Sequence, residues 1–226
     1  MAFNYQIFKT RALTALIFAV VMLIGLLYNF CSFLLLFTVI HFGCWYEFIK
    51  LIKKRYTDKY LRYSLLGLLY ITLPCVLIIC LYNPTTTIIG LTKRLIPLMI
   101  FASIWINDTM AYFVGSFIGK TPLSKISPKK TWEGTLGGVA FCVVIMALFG
   151  YYIPVAKVIA IPYWICIAAI CAILGTVGDL LESKLKRMAN VKDSGSFMPG
   201  HGGFLDRFDS LLIAVPVVWA FVYFFI

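Results

Sequence analysis

The stretch ALTALIFAVVMLIGLLYNFCSFLLLFTVIHFGCWYEFI, residues 12–49, carries no charge before Glu47 and one clear turn residue, Asn29. A helix crosses the hydrocarbon core with about 20 apolar residues. The stretch is therefore two spans folded back on each other at Asn29. Lys9 and Arg11 precede it as they would a signal peptide. The first run is too long, lacks a small-residue cleavage site and flows directly into a second span, so we expect a retained helix.

The rest of the chain continues in kind. Of 226 residues, 62% are hydrophobic and only 13% charged, with a mean hydropathy of +0.95. A water-soluble domain could not hide that much apolar surface. Polar stretches never exceed the length of a loop, which leaves no room for a separate soluble domain. We expect an all-α, polytopic transmembrane helical bundle of seven spans: Ala12–Tyr28, Phe30–Ile49, Leu61–Leu81, Leu95–Ile118, Trp132–Ile153, Pro162–Leu181 and Phe208–Ile226.

Charge sets the orientation. With a cytoplasmic N-terminus, every Lys and Arg falls on the cytoplasmic side except Lys93, Arg94 and Lys157, as the positive-inside rule requires. The net charge of +11 then lies on one face, where Lys50 to Arg62 meet anionic headgroups. The cations are spread over short loops with no nucleic-acid-binding module, so no nucleic acid is expected. The seven cysteines lie in or beside apolar runs without metal-type spacing, where cysteine acts as a small hydrophobe; we expect neither disulfides nor structural zinc. No internal repeat is evident.

Only nine acids occur in the chain, and a carboxylate inside a span needs a partner or a task. Asp58 is loop charge. Glu47, close to Lys50, reads as an interfacial pair, and His41 as a hydrogen bond to a neighbouring helix. Asn107-Asp108-Thr109 sits in mid-span and suggests a wet pocket. Asp179, Glu182, Ser183 and Lys186 are spaced i, i+3, i+4 and i+7, so one helix face carries them, with Gly175 and Gly178 allowing another backbone close approach. Asp206 and Asp209 flank the start of the last span, with Arg207 between them and His201-Gly202-Gly203 upstream. Hard carboxylate oxygens of this kind suit Mg²⁺, which takes one or two carboxylates along with substrate phosphates. Ser127-Pro128-Lys129-Lys130-Thr131-Trp132-Glu133-Gly134 opens the fifth span, and its lysines beside a helix start form an anion site.

The run Ser183, Leu185-Lys186-Arg187, Lys192-Asp193, Gly195, Pro199-Gly200-His201-Gly202-Gly203-Phe204 and Asp206-Arg207-Phe208-Asp209 resembles the signature of phosphatidate cytidylyltransferases. Its one mild departure is Met198 before the proline, where leucine, isoleucine or phenylalanine is usual. Asn107 to Lys120 and Ser127 to Gly134 resemble further motifs of that family, so the resemblance runs from Leu95 to the C-terminus. The chain is shorter at its front than is usual there.

That resemblance implies two parts: residues 1–94, three spans for lipid access and packing, and residues 95–226, a catalytic region with cytoplasmic active-site loops. It implies CTP and phosphatidate as substrates, CDP-diacylglycerol and pyrophosphate as products, Mg²⁺ as cofactor with room for a second cation, and a possible homodimer in a bacterial plasma membrane. The implied catalytic residues are Asp179, Asp206, Asp209, Lys186 and Arg207, with the three aspartates on the metal. Ser127, Lys129, Lys130, Ser183, Arg187, Lys192, Asp193, His201, Gly202, Gly203 and Asp108 are implied for substrate binding. A CTP-dependent lipid kinase, or a cytidylyltransferase for another lipid phosphate, would use much of the same chemistry. A cation transporter would explain Asp108 and Asp179, yet not the cytoplasmic polar cluster.

Overall fold

The structure, a computed structural model, describes residues 5–82, 92–197 and 202–226. Helix α1 (Tyr5–Leu27) runs into α2 (Phe30–Tyr56) through a two-residue turn. Asn29 ends the hairpin as expected: its side chain accepts from Ser32 N, and the Ser32 hydroxyl accepts from Asn29 N, a reciprocal capping box.

Helix α2 does not stop where its apolar run stops. It continues through Lys53, Lys54 and Arg55, cations that suit the negative end of the helix dipole. A short 3₁₀ turn at Thr57–Lys59 follows, with Thr57 at φ 34°, and then α3 (Tyr60–Ser64). A π-helical turn at Leu68–Thr72 precedes α4 (Leu73–Tyr82). Pro74 accounts for it: proline has no N–H and its ring collides with the carbonyl four residues back, so the backbone widens by one residue. The Thr72 hydroxyl is met by Trp45 Nε1 at 2.9 Å and His41 Nε2 at 3.0 Å, so His41 does bond a neighbouring helical segment.

Helix α5 (Thr92–Ile118) and α6 (Trp132–Tyr152) pack along each other. The loop between them is closed by a bridge from Pro122 to Thr131, a Leu123 N to Lys130 O bond of 2.7 Å and a Trp132 N to Thr121 O bond of 2.9 Å. Helix α7 (Ile161–Met188) and α8 (Leu205–Phe225) complete the described elements. Five helices are long and apolar enough to cross a membrane: Phe30–Ser64, Leu95–Ile118, Trp132–Tyr152, Ile161–Met188 and Leu205–Phe225. The other two expected spans correspond to shorter apolar helices, Ala12–Leu27 and Leu68–Tyr82. Large apolar side chains are exposed along these helices, among them Leu16 at 62%, Leu69 at 67% and Phe117 at 82%. In lipid tails that exposure carries none of the cost it has in water.

The chain divides into two compact units. The first comprises residues 1–72 and 185–208, with Phe33, Phe37, Ile40, Cys44 and Phe208 at its core; the second comprises 73–184 and 209–226, with Ile100, Cys142, Met146, Trp164 and Ala172.

Candidate active site

Each unit holds one lysine–aspartate pair. In the second unit Lys130 Nζ pairs with Asp179 Oδ2, and the Ser183 hydroxyl donates to Asp179 Oδ1 at 3.3 Å. Lys130 reaches out from a turn closed by its own N–H on Ser127 O at 3.1 Å, immediately before α6. Thr131 caps α6 by accepting from Gly134 N at 3.2 Å. Glu133 holds the other side of the loop, accepting from Lys120 N and Thr121 N at 3.2 Å.

Asp209, on α8, is only 8% exposed and lies within electrostatic reach of Asp179, Asp108 and Lys130. Its Oδ1 accepts from Ser210 N at 2.6 Å. The small residue Gly178 makes this approach possible, because a Cβ there would meet the carbonyl of Asp209 at 2.5 Å and Ser210 Cα at 3.0 Å. On α5, Asn107 is 2% exposed and donates to Asp108 Oδ1 at 3.3 Å.

In the first unit Lys186 Nζ pairs with Asp206 Oδ1 at 2.6 Å, with side chains 13% and 7% exposed. Helix α8 begins at Leu205, earlier than its apolar run, so Asp206 falls in its first turn, where a negative charge is favoured. Asp206 Oδ2 accepts from Ser194 N at 2.9 Å, Ser194 Oγ at 2.8 Å and Gly203 N at 2.7 Å. The carboxylate thus gathers the strand of chain between α7 and α8 around itself. Gly202 adopts φ 85°, open to glycine at little cost. Asn190 at φ 51° ends α7, with Val191 N bonded to Lys186 O at 3.0 Å.

Other expected site residues are placed more loosely. Arg187 is exposed and donates to Val191 O at 3.2 Å, bracing the end of α7. Lys129, Lys192, Asp193 and Arg207 are exposed. His201 lies outside the described residues. Glu182, expected on the polar face of α7, is fully buried at 0%.

Two residues were not singled out in sequence. Glu47, read as an interfacial partner of Lys50, is 4% exposed and accepts from Ser194 Oγ at 2.7 Å, Phe204 N at 3.0 Å and Leu205 N at 2.9 Å. Ser194 is the other, set between the Glu47 and Asp206 carboxylates. Their partners are more than a hundred residues apart in the chain, so no local spacing could reveal them.

The donor set suits a hard cation in one place more than another. Among the described residues no three of His, Cys, Asp or Glu gather as a metal-binding group. Mg²⁺ needs only one or two carboxylates when phosphates and water supply the rest, and Asp179 with Asp209 offers that chemistry. Asp206 already gives its oxygens to an ammonium, a hydroxyl and two backbone N–H groups.

Fold and site together define an all-α membrane protein whose polar chemistry consists of buried aspartates, each set against lysine, beside the loops that open α6 and α8. Residues 91–225 match the model of the cytidylyltransferase family, and the chain belongs to that family. A phosphatidate cytidylyltransferase of Synechocystis sp. is 44% identical over 135 residues, which cover 58% of this chain and 44% of that protein. One of Bacillus subtilis is 44% identical over 119 residues, covering 51% of this chain and 43% of that protein. The chain thus spans less than half the length of these two relatives. One of Rickettsia typhi is 32% identical over 222 residues, covering 96% of this chain and 92% of that protein.

Proposed function

We propose that the chain transfers CMP from CTP to phosphatidate, forming CDP-diacylglycerol and pyrophosphate. The observation that carries this reading is similarity to a phosphatidate cytidylyltransferase along nearly the whole of both chains, joined to lysine–aspartate pairs at the residues of the signature.

The reaction is a nucleotidyl transfer between two polyanions. A phosphate oxygen of phosphatidate forms a bond to the α-phosphorus of CTP; the bond from that phosphorus to the bridging oxygen of the β-phosphate breaks, and pyrophosphate leaves with the electron pair. The nucleophile is already anionic, so no strong base is required. Bringing the anions together and neutralising the leaving group dominate the barrier. Lys130 and Lys186 suit that task, each now neutralised by an aspartate and able to exchange it for phosphate. Lys129, Arg187, Lys192 and Arg207 are exposed cations for the outer phosphates, with Ser127, Ser183, Asp193, His201, Gly202 and Gly203 completing the nucleotide and lipid-phosphate contacts.

Asp179 and Asp209 would hold Mg²⁺, which when bound supplies charge neutralisation on the phosphates. Asp206 was expected beside them; its saturated oxygens favour a role in holding Lys186 and the loop. Asp108 tunes the charge around Asp209. The lysine and arginine distribution supports a cytoplasmic N-terminus and a cytoplasmic active site in a multi-pass protein.

Pyrophosphate release by the purified protein, with CTP, phosphatidate and Mg²⁺ each omitted in turn, tests the reading. Release that needs all three, with CDP-diacylglycerol appearing, is expected. Release that ignores phosphatidate would overturn the assigned acceptor.

A further inference from the structure

We propose that Glu47 is a positioning residue for this transfer, a role that rests on the proposed reaction. Its carboxylate, carried on α2, holds the segment 194–205, and through that segment it orders Asp206 and Lys186.

Glu47 is 4% exposed, and a buried carboxylate is tolerated only where donors replace its lost water. Here every donor comes from one short segment. Oε2 accepts from the Ser194 hydroxyl and from Leu205 N; Oε1 accepts from Phe204 N. Phe204 and Leu205 lie at the N-terminus of α8, where unsatisfied N–H groups and the helix dipole attract an anion. Glu47 is that anion, supplied from a helix far away in sequence.

The segment is shaped around the carboxylate. At both Gly195 and Gly203, an added Cβ would collide with the Glu47 carboxylate oxygens. A methyl at either position would push away the group that fixes the loop. Gly43, also on α2, leaves space for the Phe204 ring, which a Cβ would meet at 2.5 Å. The α2 helix therefore grips this segment by charge at one position and by shape at another.

The link to the lysine–aspartate pair is direct. Ser194 Oγ lies 2.7 Å from Glu47 Oε2 and 2.8 Å from Asp206 Oδ2. Its one proton serves one carboxylate at a time, and its backbone N–H donates to Asp206 as well. Gly203, which abuts Glu47, donates its N–H to the same Asp206 oxygen. Releasing Glu47 frees two of the groups that aim Asp206, and Asp206 in turn fixes the Lys186 ammonium at 2.6 Å. Small misplacements of such groups cost far more in rate than in binding.

The variants Glu47→Gln and Glu47→Ala in the full chain test this. Glutamine keeps the shape but replaces one acceptor oxygen with a donor, so either Phe204 N or Leu205 N loses its partner whichever way the amide turns. Two readouts are needed: amide hydrogen exchange over residues 194–205, and kcat and KM for CTP and phosphatidate per folded molecule. We expect faster exchange in that segment, with α5 and α6 unchanged. We also expect kcat lower by about 10- to 100-fold, little change in KM for phosphatidate, and Glu47→Ala more severe than Glu47→Gln. Wild-type exchange in the segment would overturn the proposal. So would a lower melting temperature accompanied by wild-type kcat per folded molecule, since that marks a folding contact only. A wild-type protein that transfers no CMP would overturn the reaction, and this role with it, while the exchange contrast would still report separately on whether Glu47 holds the segment.

Discussion

Asp179, Asp206 and Asp209 carry the same functional group, yet their surroundings give them different work. Asp179 meets Lys130 and the Ser183 hydroxyl; Asp209 is buried among other charges; Asp206 is saturated by its own loop and Lys186. The three asparagine variants should therefore separate in a Mg²⁺ titration of CMP transfer. Asp179→Asn and Asp209→Asn are expected to lower turnover by on the order of 100-fold or more, with a higher Mg²⁺ requirement in whatever activity remains. Asp206→Asn is expected to lower kcat without moving the Mg²⁺ dependence. A shifted Mg²⁺ midpoint in Asp206→Asn would return that residue to the metal. Lys130→Met leaves Asp179 without its ammonium and should raise KM for CTP, measured at saturating phosphatidate; an unchanged KM would remove Lys130 from the phosphate contacts.

At the scale of elements, the approach of α7 to the start of α8 depends on a missing side chain. A Cβ at Gly178 would lie 2.5 Å from the Asp209 carbonyl and 3.0 Å from Ser210 Cα, and a backbone neighbour cannot rotate away as a side chain can. Gly178→Ala is expected to destabilise the protein by about 1–3 kcal/mol through overpacking, read as a lower melting temperature in detergent. Gly175→Ala is the control, since a Cβ there meets Ser210 Cβ at an ordinary 3.4 Å and should be tolerated. Equal melting temperatures for the two variants would show that this approach is not the constraint. The π turn before Pro74 and the run of α2 past Ile49 follow the same logic: backbone hydrogen bonding, not hydropathy, decides where a helix bends or ends.

For the whole molecule, the distribution of cations makes a prediction about sidedness. Lys125 lies in the loop between α5 and α6, and Lys157 in the 3₁₀ turn between α6 and α7. The positive-inside argument puts them on opposite faces of the membrane. In a background without the native cysteines, Lys125→Cys should react with a membrane-impermeant thiol reagent only from the cytoplasmic side of sealed vesicles, and Lys157→Cys only from the other. Labelling of both from one side would overturn the topology.

Hydropathy alone established an all-α membrane chain, and the Asn29 hairpin, because spanning helices and tight caps are set by short-range chemistry: runs of apolar side chains and one residue able to cap a helix. The polar signature and its membership of the cytidylyltransferase family were legible in the same way, since Ser183 to Asp209 keep their spacing along the chain. Helix limits were less so. Lys53 to Arg55 and Lys186 to Arg187 end the apolar runs but not the helices, because charged side chains still leave the backbone free to hydrogen-bond. Tertiary structure alone decided which acid meets which donor. Glu47 looks from the chain like a partner of nearby Lys50, and only folding brings it to Ser194, Phe204 and Leu205. A buried carboxylate must find donors wherever the packing supplies them, and packing joins residues that the linear order keeps far apart.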